Sequence, residues 1–148
     1  AFYQCNKIES VYANCRILGY GAFFGAAGLK SLDLPVCSHI DTMGLYYCWQ
    51  LSSVSLPNVI TVGYNAFQHC TALIDIDLPS CKTLYDSAFY ECSLNTLTIG
   101  RSYSYVCSLV GSLGCTPNSI YVPASLYHLY IKSGNWVQYS DIIHPIPE

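Results

Sequence analysis

Cysteine and histidine are the residues here whose chemistry could be metal binding or catalysis, and their spacing argues against a metal site. The chain of 148 residues contains nine cysteines and four histidines. A structural zinc site usually takes its ligands from a C-x(2–4)-C pair or from a local cysteine and histidine cluster. Most of these cysteines are ten or more residues apart in the sequence. We therefore predict no metal ligand.

Catalysis by a cysteine is also poorly supported by the sequence. A cysteine nucleophile needs a histidine base and an oxyanion site. His69 adjoins Cys70, but adjacent residues on a turn point in different directions. His39, His128 and His144 share no convergent spacing with any serine, cysteine or aspartate. We predict no catalytic residue, no cofactor and no enzymatic activity.

The cysteines instead fall at two recurring packing positions. The first cysteine column follows an A-F pair and contains Cys5, Cys48, Cys70, Cys92 and Cys115. The second cysteine column follows a proline and contains Cys15, Cys37 and Cys81. Ala26 replaces one cysteine of the first column, and Val59 and Tyr103 stand at the second column's other positions. We predict structural, buried and reduced thiols, although stacked cysteines are close enough for a disulfide in principle. Cys107 belongs to neither column, and we predict that it is the accessible thiol.

These positions recur because the chain is built from repeats. The segments "AFYQC", "AFFGA", "GLYYC", "AFQHC" and "AFYEC" begin at residues 1, 22, 44, 66 and 88. A column of apolar residues has the same repeat, because its members are each 22 residues apart: Leu18, Ile40, Val62, Leu84 and Val106. A third column runs through "LKSLDLP", "LSSVSLP" and "LIDIDLP". Three columns with one period indicate a repeat architecture.

Each unit predicts one coil of a solenoid. The pattern L-x-x-L-x-L-P alternates like a β-strand, and its proline ends the strand because proline donates no ladder hydrogen bond. One unit cannot bury its apolar face alone, so stacked units must bury leucine, phenylalanine and cysteine in continuous columns.

The repeat resembles the BspA-like leucine-rich repeat family of bacterial cell-surface proteins. The resemblance rests on "LPNVITVGYNAFQHCTALIDIDLP", "LPSCKTLYDSAFYEC" and "LPVCSHIDTMGLYYC", and covers about residues 1 to 100. It implies a right-handed leucine-rich-repeat solenoid, mainly β with short helical turns, of about five coils. Ala26 in place of cysteine and Leu45 in place of phenylalanine are expected to be tolerated packing variants. The chain opens in mid-repeat, so we expect a missing N-terminal cap and a longer protein.

After the repeats the pattern weakens. We expect one domain overall, with leucine-rich repeats over 1–100, an atypical last coil over 101–123 and a C-terminal cap over 124–148. Val106, and approximately Cys115, are expected to stay in register. In the cap, a helix is predicted to start at Pro123 and end near Gly134. Two apolar faces are predicted, one of Leu126, Leu129 and Tyr130, the other of Trp136, Tyr139, Ile142 and Ile143.

The outward strand positions are the candidate binding residues. If the leucines point inward, these positions form two columns, Ser10, Ser31, Ser53, Asp75 and Thr96, and Tyr12, Asp33, Ser55, Asp77, Thr98 and Tyr121. Such a small, polar and slightly acidic face suits an extended partner, or simply keeps the sheet soluble. Asp33, Asp75 and Asp77 could attract calcium, but one carboxylate per coil provides few of the oxygen ligands that calcium needs.

Tyrosine is abundant near the predicted turns, at Tyr3, Tyr46, Tyr47, Tyr64, Tyr85, Tyr90, Tyr103 and Tyr105. Tyrosine is enriched at interfaces, but its ring can equally cover the coil edges while the hydroxyl stays in water.

Net charge and hydropathy argue against two classes of partner, nucleic acids and the membrane interior. The net charge of -3 gives no basic surface for nucleic acid, and no apolar run approaches the ~20 residues of a membrane span. The resemblance implies an extracellular, non-catalytic module that binds a protein or a host-surface ligand, glycans included. The alternative is a structural spacer or assembly element, as in a surface fibre or phage tail. The oligomeric state is not predicted.

Overall fold

The structure is a computed structural model that describes residues 2–101 and 104–147. Its strands are short and all of their pairings are parallel. In chain order they are β1 (Ser10–Tyr12), β2 (Ile17–Leu18), β3 (Ser31–Asp33), β4 (His39–Ile40), β5 (Ser53–Ser55), β6 (Thr61–Val62), β7 (Asp75–Leu78), β8 (Thr83–Leu84), β9 (Thr96–Ile99), β10 (Ser108–Leu109), β11 (Ser119–Val122) and β12 (Ile143–Pro145).

Each repeat contributes one strand to each of two faces. The front face contains β1, β3, β5, β7, β9, β11 and β12, and the back face contains β2, β4, β6, β8 and β10. We number the coils from their A-F-x-x-C turns, so that the first five begin at residues 1, 22, 44, 66 and 88. This is the predicted leucine-rich-repeat solenoid, and in the described part of its repeat coils the strands are connected by turns.

The two faces differ in continuity. All five back strands form one sheet, whereas the front strands form two sheets, β1-β3-β5 and β7-β9-β11-β12. No ladder pairing joins β5 to β7, both of which lie wholly within the described residues. Val54 of β5 is partly exposed, whereas Leu32 and Ile76, its column neighbours, are buried. The front face is therefore split between the third and fourth coils.

The core consists of the predicted columns. Leu29, Leu51 and Leu73 are completely buried at one position, and Phe67 and Phe89 stack at another with ring centroids 5.3 Å apart. The variants Ala26 and Leu45 are also completely buried, and therefore fill the same columns. Among the described residues no polar or charged side chain is buried. Stacking thus removes the apolar surface that a single unit would leave in water.

The last coil departs from the predicted register. Leu109 of β10, and not Val106, pairs with Leu84 of β8, so this coil is three residues longer than the 22-residue period. The expectation for Val106 was therefore wrong, and its side chain is only partly buried. Tyr103, expected in the second cysteine column, lies outside the described residues.

The C-terminal segment covers the last coil. It contains a 3₁₀ helix (Ala124–Leu126), the short helix α1 (Tyr127–Tyr130) and a second 3₁₀ segment (Gly134–Ile142), after which β12 pairs with β11. Pro123 precedes the first helix as expected, but Gly134 begins the second segment instead of ending a helix. Leu129 is 45% exposed, so its predicted place on the buried face was wrong. The other apolar residues pack as predicted: Leu126, Tyr130, Trp136, Tyr139 and Ile143 are buried, and Ile142 is partly buried against the core.

Aromatic side chains of this cap satisfy backbone groups of the last coil. The Cys107 amide donates to the Tyr130 hydroxyl oxygen at 2.8 Å, and the Leu113 amide donates to that of Tyr139 at 2.9 Å. The Trp136 indole N–H donates to the Cys107 carbonyl at 2.7 Å. These side chains take hydrogen bonds that a following coil would otherwise supply, and they cover an edge that could pair with another chain.

Candidate binding surfaces

The predicted front-face columns are aligned by the strand register. Ser31 is opposite Ser10 and Ser53, and Thr96 is opposite Asp75. The second column aligns Tyr12 with Asp33 and Ser55, and then Asp77 with Thr98 and Tyr121. Sequence reasoning missed two further members, Ser119 opposite Thr96 and His144 opposite Tyr121. Ser119 could have been found from the sequence, because it lies two residues before Tyr121 on the same strand. His144 lies outside the repeats, and only strand pairing reveals it.

Neighbouring side chains on the front face hold one another. The Ser31 hydroxyl donates to the Ser10 hydroxyl oxygen at 2.8 Å, and the Thr96 hydroxyl donates to the Asp75 carboxylate at 2.6 Å. Arg101 forms an ion pair with Asp77. The described residues contain no group of three or more histidine, cysteine, aspartate or glutamate side chains arranged to hold a metal ion. Asp75 and Asp77 are therefore each held by one neighbouring side chain of the front face.

A shallow cleft marks the split between β5 and β7. It has a volume of about 230 Å³ and is lined by Val54, Ser55, Leu56, Pro57, Asp77 and Pro79. The coils stay linked beside it, because the Ser80 hydroxyl donates to the Pro57 carbonyl at 2.7 Å. The front face thus contains a local concavity with backbone edges on both sides.

The first cysteine column is held in the thiol form. Cys48, Cys70 and Cys92 each donate to a backbone carbonyl of the preceding coil, at 3.1, 3.2 and 3.0 Å. Burial raises the pKa of Cys48 and of Cys92 to about 12, and the pKa of Cys70 is raised as well. A thiolate is the reactive form of cysteine, so these residues are suited to packing and not to nucleophilic attack.

The ends of the column are more open than predicted. Cys5 and Cys115 are only partly buried, as is Cys15 of the second column. Cys5 and Cys15 belong to the first coil that the structure describes. Burial still raises the pKa of Cys115 to about 11. The expectation of identical buried positions therefore holds for the inner coils and fails at the two ends.

The prediction that Cys107 is accessible was wrong. Its side chain is 1% exposed, and its Sγ lies 3.8 Å from Sγ of Cys81. A hydrogen bond to Cys81 and burial raise the pKa of Cys107. Cys107 thus extends the second column beyond Cys81, because the longer last coil carries it to that position. All nine cysteines are free thiols.

We expect these thiols to make the protein sensitive to alkali. The ordinary thiol pKa is 9.0, and the raised value in the fold means that stability is complete below pH 9. It falls between pH 9 and about 12, because only the unfolded chain then loses its protons. At pH 10 the loss is about 1 kcal/mol per buried thiol. Urea unfolding at pH 8 and 10 under reducing conditions measures it.

A double variant isolates the contribution of the thiols to this alkaline loss. Cys48→Ala with Cys92→Ala is compatible with the column, because Ala26 already occupies an equivalent buried position. The variant should lose less stability than the unchanged chain between the two pH values. Equal losses would show that the thiols do not cause the alkaline instability.

The A-F-x-x-C turns carry a second surface, which we call the turn corner. The Phe24 ring stacks between the rings of Tyr3 and Tyr46, with centroid distances of 5.1 and 4.7 Å. The Tyr47 ring lies 4.1 Å from that of His69, whose Nδ1 is 2.7 Å from Glu91 Oε2. His69 therefore contacts an aromatic ring and a carboxylate and does not pair with Cys70, whose thiol donates to a carbonyl.

Comparison with known proteins identifies the repeat. The chain belongs to the family described as the BspA type leucine rich repeat region, which matches in six copies over residues 1–110. No curated protein matches the chain. A solved structure, of a leucine-rich repeat protein from Bacteroides ovatus, is similar with a TM-score of 0.65 and 24% identity. The likeness covers 98% of this chain but 38% of that one, and at this identity it concerns the fold.

The family and the fold are those of repeat proteins that are typically non-enzymatic. None of the helices that the structure describes has the length and apolar character needed to cross a membrane.

Proposed function

We propose that this chain is a non-catalytic protein-binding module of a bacterial cell-surface protein and that its front face contacts the partner. The observation that carries the proposal is the strand register, which places small polar side chains in two columns across successive coils. A ladder of this kind offers many modest hydrogen bonds to an extended partner. Membership of the BspA-type family supports the placement at a bacterial surface.

The acidic side chains give the front face a negative charge. Asp33, Asp75 and Asp77 lie in adjacent outward columns, and one of them is partly neutralised by Arg101. Electrostatic complementarity would therefore favour a partner with a basic or hydrogen-bond-donating surface. The cleft between β5 and β7 lies next to Asp77 and offers a place for an apolar side chain of that partner.

The test compares two charge-matched triple variants. Asp33→Asn, Asp75→Asn and Asp77→Asn remove three charges from the front face, whereas Asp41→Asn, Asp86→Asn and Asp141→Asn remove three charges elsewhere. Both are applied with the unchanged protein to an array of purified extracellular matrix proteins and glycans. We expect saturable binding to a protein that weakens about tenfold or more in the front-face variant alone. Equal binding by both variants would move the site to another surface.

A spacer or assembly role is the alternative outcome. It predicts no binding on the array and defined oligomers of a longer chain, which sedimentation measures directly. Binding to the array without oligomer formation would contradict it.

A further inference from the structure

A notch interrupts the turn corner at the second coil, and the repeat explains its origin. Gly25 occupies the position that Tyr47 and His69 occupy in the next two coils, and Ala27 occupies the position of Trp49. The second coil therefore presents a hydrogen and a methyl group where its neighbours present large side chains. The result is an open cavity of about 340 Å³. This is within the range of small-molecule sites.

The two walls of the notch differ in chemistry. Tyr47 and Trp49 of the third coil form one wall, and their side chains are 36% and 48% exposed. Gln4 and Asn6 of the first coil line the other side, and Phe24 of the second coil also lines the notch. The Gln4 side chain reaches Gly25, since a Cβ atom there would lie 3.3 Å from Gln4 Cγ. One side of a ligand would therefore meet aromatic surface and the other would meet two amide groups.

Backbone contacts hold the polar wall in place. The Ala27 amide donates to Asn6 Oδ1 at 3.3 Å, which fixes that side chain against the second coil. A Cβ atom at Gly28 would lie 2.1 Å from the Asn6 carbonyl oxygen, so the close approach of the two coils requires glycine there. The notch is thus formed by the fold before any ligand arrives, which lowers the ordering cost of binding.

The lining selects a neutral ligand with both apolar and hydroxyl-bearing surfaces. None of the seven lining residues carries a formal charge at neutral pH, so an ionic ligand would lose hydration without gaining a partner. An alkyl chain would leave the two amides facing an apolar group, which is costly when they are desolvated. A quaternary ammonium group prefers aromatic rings around it, whereas the exposed rings here stand on one side.

A pyranose ring meets all of these requirements. Its axial C–H bonds make one face apolar, and its equatorial hydroxyl groups project from the rim as donors and acceptors. We propose that the notch binds one pyranose unit of a neutral glycan, with its apolar face against the Trp49 ring and its hydroxyls bonded to Gln4 and Asn6. The Tyr47 ring is inclined by 78° to that of Trp49 and would contact the edge of the sugar. This site lies on the turn corner and does not depend on the proposed role of the front face.

The two tryptophans supply an internal control for the test. Trp49 lies in the notch, whereas Trp136 is buried under the cap. The ¹⁵N-labelled protein is titrated with cellohexaose, maltohexaose and fully N-acetylated chitohexaose, and with an anionic polygalacturonate oligomer as a charged comparison. We expect at least one neutral glycan to shift the Trp49 indole resonance in a saturable way while that of Trp136 stays fixed. If no neutral glycan shifts it, or if the anionic oligomer binds more tightly, the proposal is overturned.

Variants then localise the site by calorimetry with the glycan that binds. Ala27→Trp fills the notch with the side chain that the third coil carries at the same position, so the fold should be preserved. Trp49→Ala removes the aromatic wall. Each should weaken binding about tenfold or more, the loss expected for a truncated or blocked anchor. Tyr90→Ala, which removes an exposed turn tyrosine outside the notch, should not, and undiminished binding by Ala27→Trp would refute the assignment.

Discussion

Replacing Phe67 by alanine should lower the free energy of unfolding by about 3 to 5 kcal/mol. Phe67 is completely buried in the fourth coil, and its ring stacks on Phe89 at 5.3 Å. Truncation leaves a cavity in a column shared by neighbouring coils, and each coil of a solenoid is stabilised through its contacts with those next to it. Urea unfolding followed by circular dichroism measures the change.

Tyr64→Ala is the matched control for this loss. Tyr64 precedes the same turn but is 44% exposed, so its truncation should change stability by roughly 0.5 kcal/mol or less. Similar losses in the two variants would mean that the phenylalanine column is not the main source of cohesion between these coils.

Replacing Trp136 by alanine should cost about 3 to 5 kcal/mol, although the residue lies outside the repeats. Its indole is 2% exposed and donates to the Cys107 carbonyl at 2.7 Å. The variant therefore creates a cavity and also removes a donor from a buried carbonyl. Tyr130→Phe should cost less, about 1 to 3 kcal/mol, because it removes only the hydroxyl that accepts from the Cys107 amide.

Trp49→Ala provides the control for the cap, since it makes the same replacement on a surface that is 48% exposed. Its stability should change by roughly 0.5 kcal/mol or less. Thermal unfolding of the three variants ranks them. A cap that matters little would be revealed if Trp136→Ala and Trp49→Ala unfolded at the same temperature.

The sequence predicts the repeated part of the fold because one period connects several columns of apolar residues. Leu29, Leu51 and Leu73 are 22 residues apart, and equal spacing in a solenoid means equal position in successive coils. The last coil does not follow the 22-residue period. Its three extra residues move Leu109 into the column where the period placed Val106, and they bring Cys107 beside Cys81. Only strand pairing shows where an insertion is absorbed.

The candidate surfaces were predictable to different degrees. The front-face columns follow from alternation along each strand, so their alignment could be predicted while their role remains a proposal. The notch was missed because a small residue indicates a cavity only when it is compared with the larger residues at the same position in neighbouring repeats. Aligning Gly25 with Tyr47, and Ala27 with Trp49, would have located it. The split between β5 and β7 has no such signal, because "LSSVSLP" and "LIDIDLP" follow the same pattern.

The difference between the two faces also has a mechanical consequence. The back strands form a single hydrogen-bonded sheet, whereas the front strands are interrupted between β5 and β7. Bending about the back sheet would separate front edges that share no ladder bonds. We therefore expect tension along the axis of the solenoid to widen the front face first between the third and fourth coils, where the turn corner and the Ser80 hydroxyl supply the remaining hydrogen bonds.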